Sequence, residues 1–254
     1  MIETMPAELA ENLIDFCENR SRVYALLSRC YETEIDAAFA EALAGEAALA
    51  SDDAGLAAGF AALQADLARL RRDALEQLAV VFDRAFFGMG PRTAQKASRT
   101  SRCTRARSTC SCRMRATSAV AFYLGEELGL PADNTTPEDH LSFEFQFMAK
   151  LIERAGAALD AGDEARYAEL CAKQRAFFDE HLANWVPRLC ADVRAYAQTA
   201  FYRGVADITE GFLQLEDQRS ARAPRRRKPW PRTRDGVRRV LRRSRPYSPR
   251  SAGR

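Results

Sequence analysis

Apolar residues recur along most of this 254-residue chain at steps of three and four, with few β-branched runs, and that period predicts helices throughout. Over 7–32, Leu9, Leu13, Phe16, Val23, Leu27 and Tyr31 mark one stripe, with Arg20 completing the spacing. A second helix is expected over 34–50 through Ile35, Phe39 and Leu43, and Ser51-Asp52-Asp53 then supplies a turn and a cap. Residues 54–87 carry Leu63, Leu67, Leu70, Leu75, Leu78 and Phe82 on one side, with a break near Gly59 or Arg71. Gly88-Met89-Gly90-Pro91 stops that run. The pattern resumes at about Ala119, with Val120, Phe122, Tyr123 and Leu124, and ends at Gly129-Leu130-Pro131. Helices over 137–158, 163–182 (Tyr167, Leu170, Phe177, Phe178) and 189–213 complete the series, which reads as an all-α protein.

The stretch 137–150 is the most specific. Thr136 or Thr135 can cap a helix, Pro137 suits its first turn, and Glu138 and Asp139 place negative charge where the dipole favours it. Leu141, Phe145, Met148 and Leu151 or Ile152 follow on one face. His140, one of only two histidines, directly follows an acid. On pattern alone this is a well-capped core helix with a solvated Asp-His pair. His181, ahead of Trp185-Val186-Pro187, reads as a packed structural histidine.

Charge changes the picture, because the net +3 is unevenly spread. Residues 219–254 hold 15 Lys plus Arg against the single acid Asp235, and 98–118 hold six Arg and no acid. The remainder carries 17 basic against 34 acidic residues, so the body is acidic and suits an arginine-bearing peptide better than nucleic acid. Cys17, Cys30, Cys171 and Cys190 sit in helical contexts as ordinary thiols, whereas Cys103, Cys110 and Cys112 fall in the basic segment without metal-ligand spacing. No segment approaches 18 consecutive apolar residues, which argues against a membrane span. The start, Met1-Ile2-Glu3-Thr4-Met5, lacks the regions of a signal peptide, so a cytoplasmic protein is expected.

Pro137-Glu138-Asp139-His140, followed by Leu141-Ser142-Phe143-Glu144-Phe145 and Phe147-Met148, resembles the signature of the TorD/DmsD family. Arg22 to Glu32 is similar to that family's first helix, and Val81 to Pro91 to its Phe-x-Gly-Pro-Gly segment with the glycine and proline order altered. Ala121-Phe122-Tyr123 ahead of Gly129-Leu130, and Phe177 to Pro187, resemble further family runs. The resemblance covers about 20–97 and 119–215. It implies a single TorD-like helical domain over 1–218, acting as a cytoplasmic chaperone with no cofactor of its own. Such a chaperone binds the twin-arginine signal peptide, and so the catalytic subunit, of a molybdopterin-dependent respiratory oxidoreductase, and assists cofactor insertion before export. It further implies a peptide site at Asp139 and His140 with Glu138, and an apolar wall at Phe86 and Phe87. On the residues alone, those two phenylalanines are equally a core helix end. A monomer and a domain-swapped dimer both remain open.

Two pieces do not fit the helical body. Residues 98–118 lack periodicity and read as a disordered basic loop, a nucleic-acid-binding insertion, or a shifted reading frame. A nucleotide string coding Phe-Pro-Tyr-Glu-Ser-Val-Tyr-Thr-Ser, read one base later, gives Ser-Arg-Thr-Ser-Arg-Cys-Thr-Arg, the residues of 98–105. The recovered phrase resembles a Pro-x-Glu-Ser-Val-Tyr motif of the family. Residues 219–254 alternate Arg with Pro and Ser and read as disordered, out of frame, or a nucleic-acid-binding tail on a helical protein, the alternative function. An enzyme is not expected. No phosphate-cradling Gly-rich loop, Gly-x-Ser-x-Gly or His-Glu-x-x-His occurs, and adjacent Asp139 and His140 point about 100° apart on a helix.

Overall fold

The three- and four-residue periods become nine helices, and no strand, among the described residues of a computed structural model, which describes 5–45, 54–69, 72–87, 99, 110–130 and 133–222. They are α1 (Ala7–Glu32), α2 (Ala37–Gly45), α3 (Ala54–Arg69), α4 (Arg72–Phe82), α5 (Cys110–Gly125), α6 (Leu141–Asp160), α7 (Glu164–Phe177), α8 (Val186–Tyr196) and α9 (Ala200–Arg222). Single π-helical turns prolong α4 over Asp83–Phe87 and α7 over Phe178–Leu182. No helix among the described residues is long and apolar enough to cross a membrane.

α6 lies at the centre, packed along α1 and against α7, while α9 packs on α3 and α8. Thirteen of its 20 residues are buried, and the exposed Gln146, Lys150, Glu153, Ala157 and Asp160 form one narrow stripe at three- and four-residue steps. The predicted stripe Leu141, Phe145, Met148, Leu151 and Ile152 is wholly inside. The stripe of α1 differs from the expected one. Its buried residues are Cys17, Ser21, Tyr24, Leu27, Ser28, Cys30 and Tyr31, whereas Leu9 is exposed and Leu13, Phe16 and Val23 lie only half inside. Small residues explain the rotation, since they let the two backbones close. Ser28 Oγ donates to the Ser142 carbonyl at 2.9 Å, and a Cβ on Gly156 would stand 3.3 Å from Cys17 Cβ. Arg20 turns into the seam with α9, where it pairs with buried Glu216 at 2.6 Å and also reaches Gln174. Tyr24 joins α1 to both neighbours, its ring 5.6 Å from Phe145 and 4.9 Å from Phe212.

Several expected boundaries move. α2 begins at Ala37 because Asp36 Oδ1 accepts from Phe39 N at 2.8 Å, while Arg29 closes the elbow by pairing with Asp36. The expected helix over 189–213 is two helices, starting at Val186 and interrupted at 197–199. No glycine or proline breaks it. Instead Asp66 of α3 accepts from Phe201 N at 2.8 Å and caps the new start. Gly59 is no break, and the alternative site at Arg71 lies outside the described residues, between α3 and α4. α5 begins at Cys110, inside the segment read as lacking periodicity, and α9 continues to Arg222, past the boundary expected at 218. Residues 88–98 and 100–109, and the tail from 223, lie outside the described residues.

Gly59 marks where α3 meets α9. A Cβ there would come 2.7 Å from Ile208 Cγ1, and Gly204 of α9 faces the Gly59 carbonyl. Gly59→Ala is therefore expected to destabilise the protein by about 1–3 kcal/mol in urea denaturation, the cost of overpacking. Gly129→Ala, with nothing within 4 Å of the new methyl, is expected to stay within about 0.5 kcal/mol of the parent.

Candidate functional site

The site grows from the start of α6. Asn134 folds the preceding turn onto Thr136, donating to its carbonyl at 2.6 Å and accepting from its N–H at 3.0 Å. The Pro137 carbonyl then accepts from His140 N, which makes Pro137–His140 a second turn rather than the first turn of a helix. The cap is thus His140, in place of the expected Thr136 or Thr135. Its Nδ1 accepts from Ser142 N at 3.3 Å and lies 2.8 Å from Ser142 Oγ. Asp139 and His140 are 0% and 5% exposed, so the pair is buried and not solvated. Burial first, and the Arg99 cation second, push the imidazole down to about 4, while Asp139 pulls the other way. His140 is therefore neutral at pH 7, as an accepting Nδ1 requires.

Arg99 stands between this turn and the aromatic core. Its carbonyl accepts from Leu141 N at 2.9 Å. Its guanidinium donates through Nη1 to the carbonyls of Tyr31 (2.7 Å) and Glu32 (3.1 Å) at the end of α1. The same group lies over the rings of Phe82 and Phe86, 4.8 and 5.1 Å from their centroids. Phe86, expected as a groove wall, is buried against Phe82, Tyr31 and Tyr202. The side chain of Phe87 lies outside the described residues. Of the sequence-derived site residues, Asp139 and His140 are thus neighbours in one turn, and Phe86 approaches them through Arg99. Glu138 is half-buried on the other flank, where its carbonyl accepts from Tyr123 Oη at 3.2 Å.

An open apolar recess of about 300 Å³ lies on that flank, walled by Tyr123, Leu128, Leu130, Phe143 and Phe147, with exposed Lys150 and Glu153 at its polar edge. Phe143 and Phe147 share a helix face, while Phe145, against Tyr31, points about 160° away from both, so the recess and the Phe86 cluster flank α6 on different sides. The recess wall at 126–130 is held by Glu126. This buried carboxylate pairs with Arg154 (3.1 Å), Arg166 (2.7 Å) and Lys173, cations from α6 and α7. Burial alone would push its carboxyl up, but Lys173 and the two arginines outweigh it and hold the group below the usual range.

Sequence reading passed over Arg99, Glu126 and Glu144. Glu144 is wholly buried, with Oε1 3.7 Å from Nδ1 of His181. That histidine is packed as expected, stacked on Phe177 at 4.7 Å with Nε2 3.3 Å from Ser118 Oγ. Glu144 had a legible signal, since Leu141 and Met148 place it on the apolar stripe. Arg99 had none. Among the described residues no cluster of three or more His, Cys, Asp or Glu side chains is arranged to hold a metal ion. Cys17, Cys30 and Cys190 are buried free thiols, and Cys171 is half-buried and also free.

Two expectations follow. A histidine at about 4 when folded and about 6.5 when unfolded stabilises the fold fully above pH 6.5 and loses that contribution as pH falls toward 4. His140→Asn keeps a capping oxygen, so it is expected to flatten the pH dependence of stability in that window by about 2–3 kcal/mol, read from denaturation at pH 7 and pH 4.5. For Glu126, whose folded value is depressed, stability is present above the unfolded value and lost as pH falls through the folded one. Glu126→Gln is expected to cost about 2 kcal/mol at pH 7, and the gap to the parent to narrow as the pH falls through the depressed folded value.

Residues 49–191, just over half of the chain and including the whole turn and the named walls of the recess, match the nitrate reductase delta subunit family. The chain is similar to the chaperone protein TorD of Photobacterium profundum, 34% identical over 95 residues, 37% of this chain and 43% of that protein. It is also similar to the perchlorate reductase assembly chaperone protein of Dechloromonas aromatica, 31% identical over 93 residues, 36% of this chain and 40% of that protein. A TorD chaperone of Vibrio parahaemolyticus matches at 28% over 80 residues, 32% of this chain and 36% of that protein. The chain thus spans less than half the length of these curated relatives. With more than half of its residues matched and the 137–150 signature in place, the chain belongs to the nitrate reductase delta subunit family, of the TorD/DmsD type.

Proposed function

We propose that the chain is an assembly chaperone that binds the twin-arginine signal peptide of a molybdenum-containing oxidoreductase in the cytoplasm and holds the precursor until its cofactor is inserted. The observation that carries this reading is the double role of Tyr123, whose ring walls the apolar recess and whose hydroxyl bonds the Glu138 carbonyl. An acidic turn and an apolar groove are therefore contiguous, matching a peptide in which arginines precede an apolar stretch. The apolar stretch fills the recess against Phe143, Phe147 and Leu130. Half-exposed Glu138 meets an arginine by a charge-assisted hydrogen bond, buried Asp139 adds its field, and His140 fixes the turn. Phe86 supports the turn from the core side, through Arg99. The activity is recognition without catalysis. The names of the relatives, a TorD chaperone and a perchlorate reductase assembly chaperone, support the same class of client.

Calorimetry with a synthetic peptide carrying Arg-Arg ahead of an apolar run, and its Lys-Lys counterpart, tests this. Glu138→Gln and Asp139→Asn are each expected to weaken Arg-Arg binding by about 1–3 kcal/mol. Phe143→Ser is expected to weaken both peptides alike. Parental affinity in all three folded variants would remove this surface from the function.

A further inference from the structure

We propose that the cradle around Arg99 is a guanidinium-binding site, filled here by the chain's own Arg99, and that an arginine of a partner peptide occupies it by displacing that side chain. The displacement step rests on the peptide-binding reading above; the cradle does not. Each of its parts suits a planar cation. The Tyr31 and Glu32 carbonyls belong to the last turn of α1, where carbonyls lack intrahelical partners and the dipole is negative. The faces of Phe82 and Phe86 offer cation–π contact at 4.8 and 5.1 Å. Phe82 and Phe86 are locked by one another and by Tyr31 and Tyr202, so the aromatic walls are held by packing beyond Arg99 itself. A lysine, with a compact ammonium and no plane, fits such a slot less well.

Position ties the cradle to the acidic turn. The Arg99 carbonyl is bonded to Leu141 N, next to His140 and two residues from Asp139. That backbone bond does not involve the guanidinium, so exchange requires only the side chain to leave. Burial pushes the guanidinium down to about 10, ahead of the opposing pull of Tyr202 and Asp83. The group remains charged at neutral pH, yet it is held less comfortably than in water. Two consecutive arginines of a peptide would find one acceptor on each flank of the same turn, Glu138 on the recess side and the cradle on the core side. The chain's own Arg99 is then a competitor for the second.

The test uses the full chain, Arg99→Ala and Arg99→Lys, with ethylguanidinium and ethylammonium at millimolar concentration and the two peptides. Arg99→Ala is expected to melt lower than the parent, to be restored by ethylguanidinium but not ethylammonium, and to bind the Arg-Arg peptide about tenfold tighter with no gain for Lys-Lys. Absence of selective restoration overturns the guanidinium site, whether or not any peptide binds. Restoration without a gain in Arg-Arg affinity overturns displacement and leaves Arg99 a structural pin. If no protein, the parent included, binds either peptide while restoration holds, the peptide-binding reading fails and the cradle stands. Should Arg99→Ala not fold, Arg99→Lys decides: it keeps the charge without the planar fork, so tighter Arg-Arg binding supports displacement and unchanged affinity overturns it.

Discussion

A helix that is buried at its start must satisfy its first N–H groups from inside the protein, and this constraint shapes the centre of the molecule. All four at the start of α6 are accounted for. Leu141 N donates to the Arg99 carbonyl, Ser142 N to His140 Nδ1, and Phe143 N and Glu144 N to the His140 carbonyl. Each partner brings a further requirement. The histidine must be neutral, so it is buried; the turn before it must be tight, so Asn134 clasps Thr136; and chain segment 99 must pass directly above the helix start. Placing a backbone there puts the Arg99 side chain among Phe82, Phe86 and the end of α1. The Asp-His signature is thus first a solution to the burial of α6, and any binding role is built on that solution.

What was legible in the sequence follows from what periodicity measures. The stripe of α6 was read correctly because it is made of large apolar residues. α1 was found but its face was misjudged, because Cys17, Ser21 and Ser28 do their packing by being small and hydropathy counts the serines as polar. The interruption at 197–199 carries no local signal, since the cap of α9 is Asp66, some 135 residues away. Arg99 was unreadable for the same reason. Nothing in Ser98-Arg99-Thr100 says that this arginine is taken inside. The turn 137–140 was located but taken for helix, because Pro, Glu and Asp suit a first helical turn as well as the turn preceding one.

The acidic excess of the body had suggested a basic partner, but part of that charge is spent internally. Glu126 is ringed by Arg154, Arg166 and Lys173, and Glu216 takes Arg20 with Tyr24 Oη alongside. Exposed acids act through water and salt, and are screened beyond about 8–10 Å. Net charge would therefore help the cationic peptide proposed above to arrive without choosing where it binds. The choice falls to local geometry, where Tyr123 is the hinge between polar and apolar parts. Burial, and then Glu144, Asp139 and Glu138, hold its hydroxyl protonated, so it remains a donor to the turn while its ring serves the recess. A ligand that shifts this ring must disturb both.

The basic segment separates into a backbone role and a side-chain role. α6 needs from residue 99 only a carbonyl aimed at Leu141 N. In the shifted frame the residue at this place is a proline, which lacks an N–H but offers the same carbonyl. The bond to Leu141 N itself therefore makes no demand on the side chain at 99. The cradle does, because a proline leaves the α1 carbonyls and the Phe82 and Phe86 faces without their cation. The backbone carbonyl at 99 thus serves the start of α6, while the proposed competition for an arginine-bearing peptide depends on the Arg99 side chain alone.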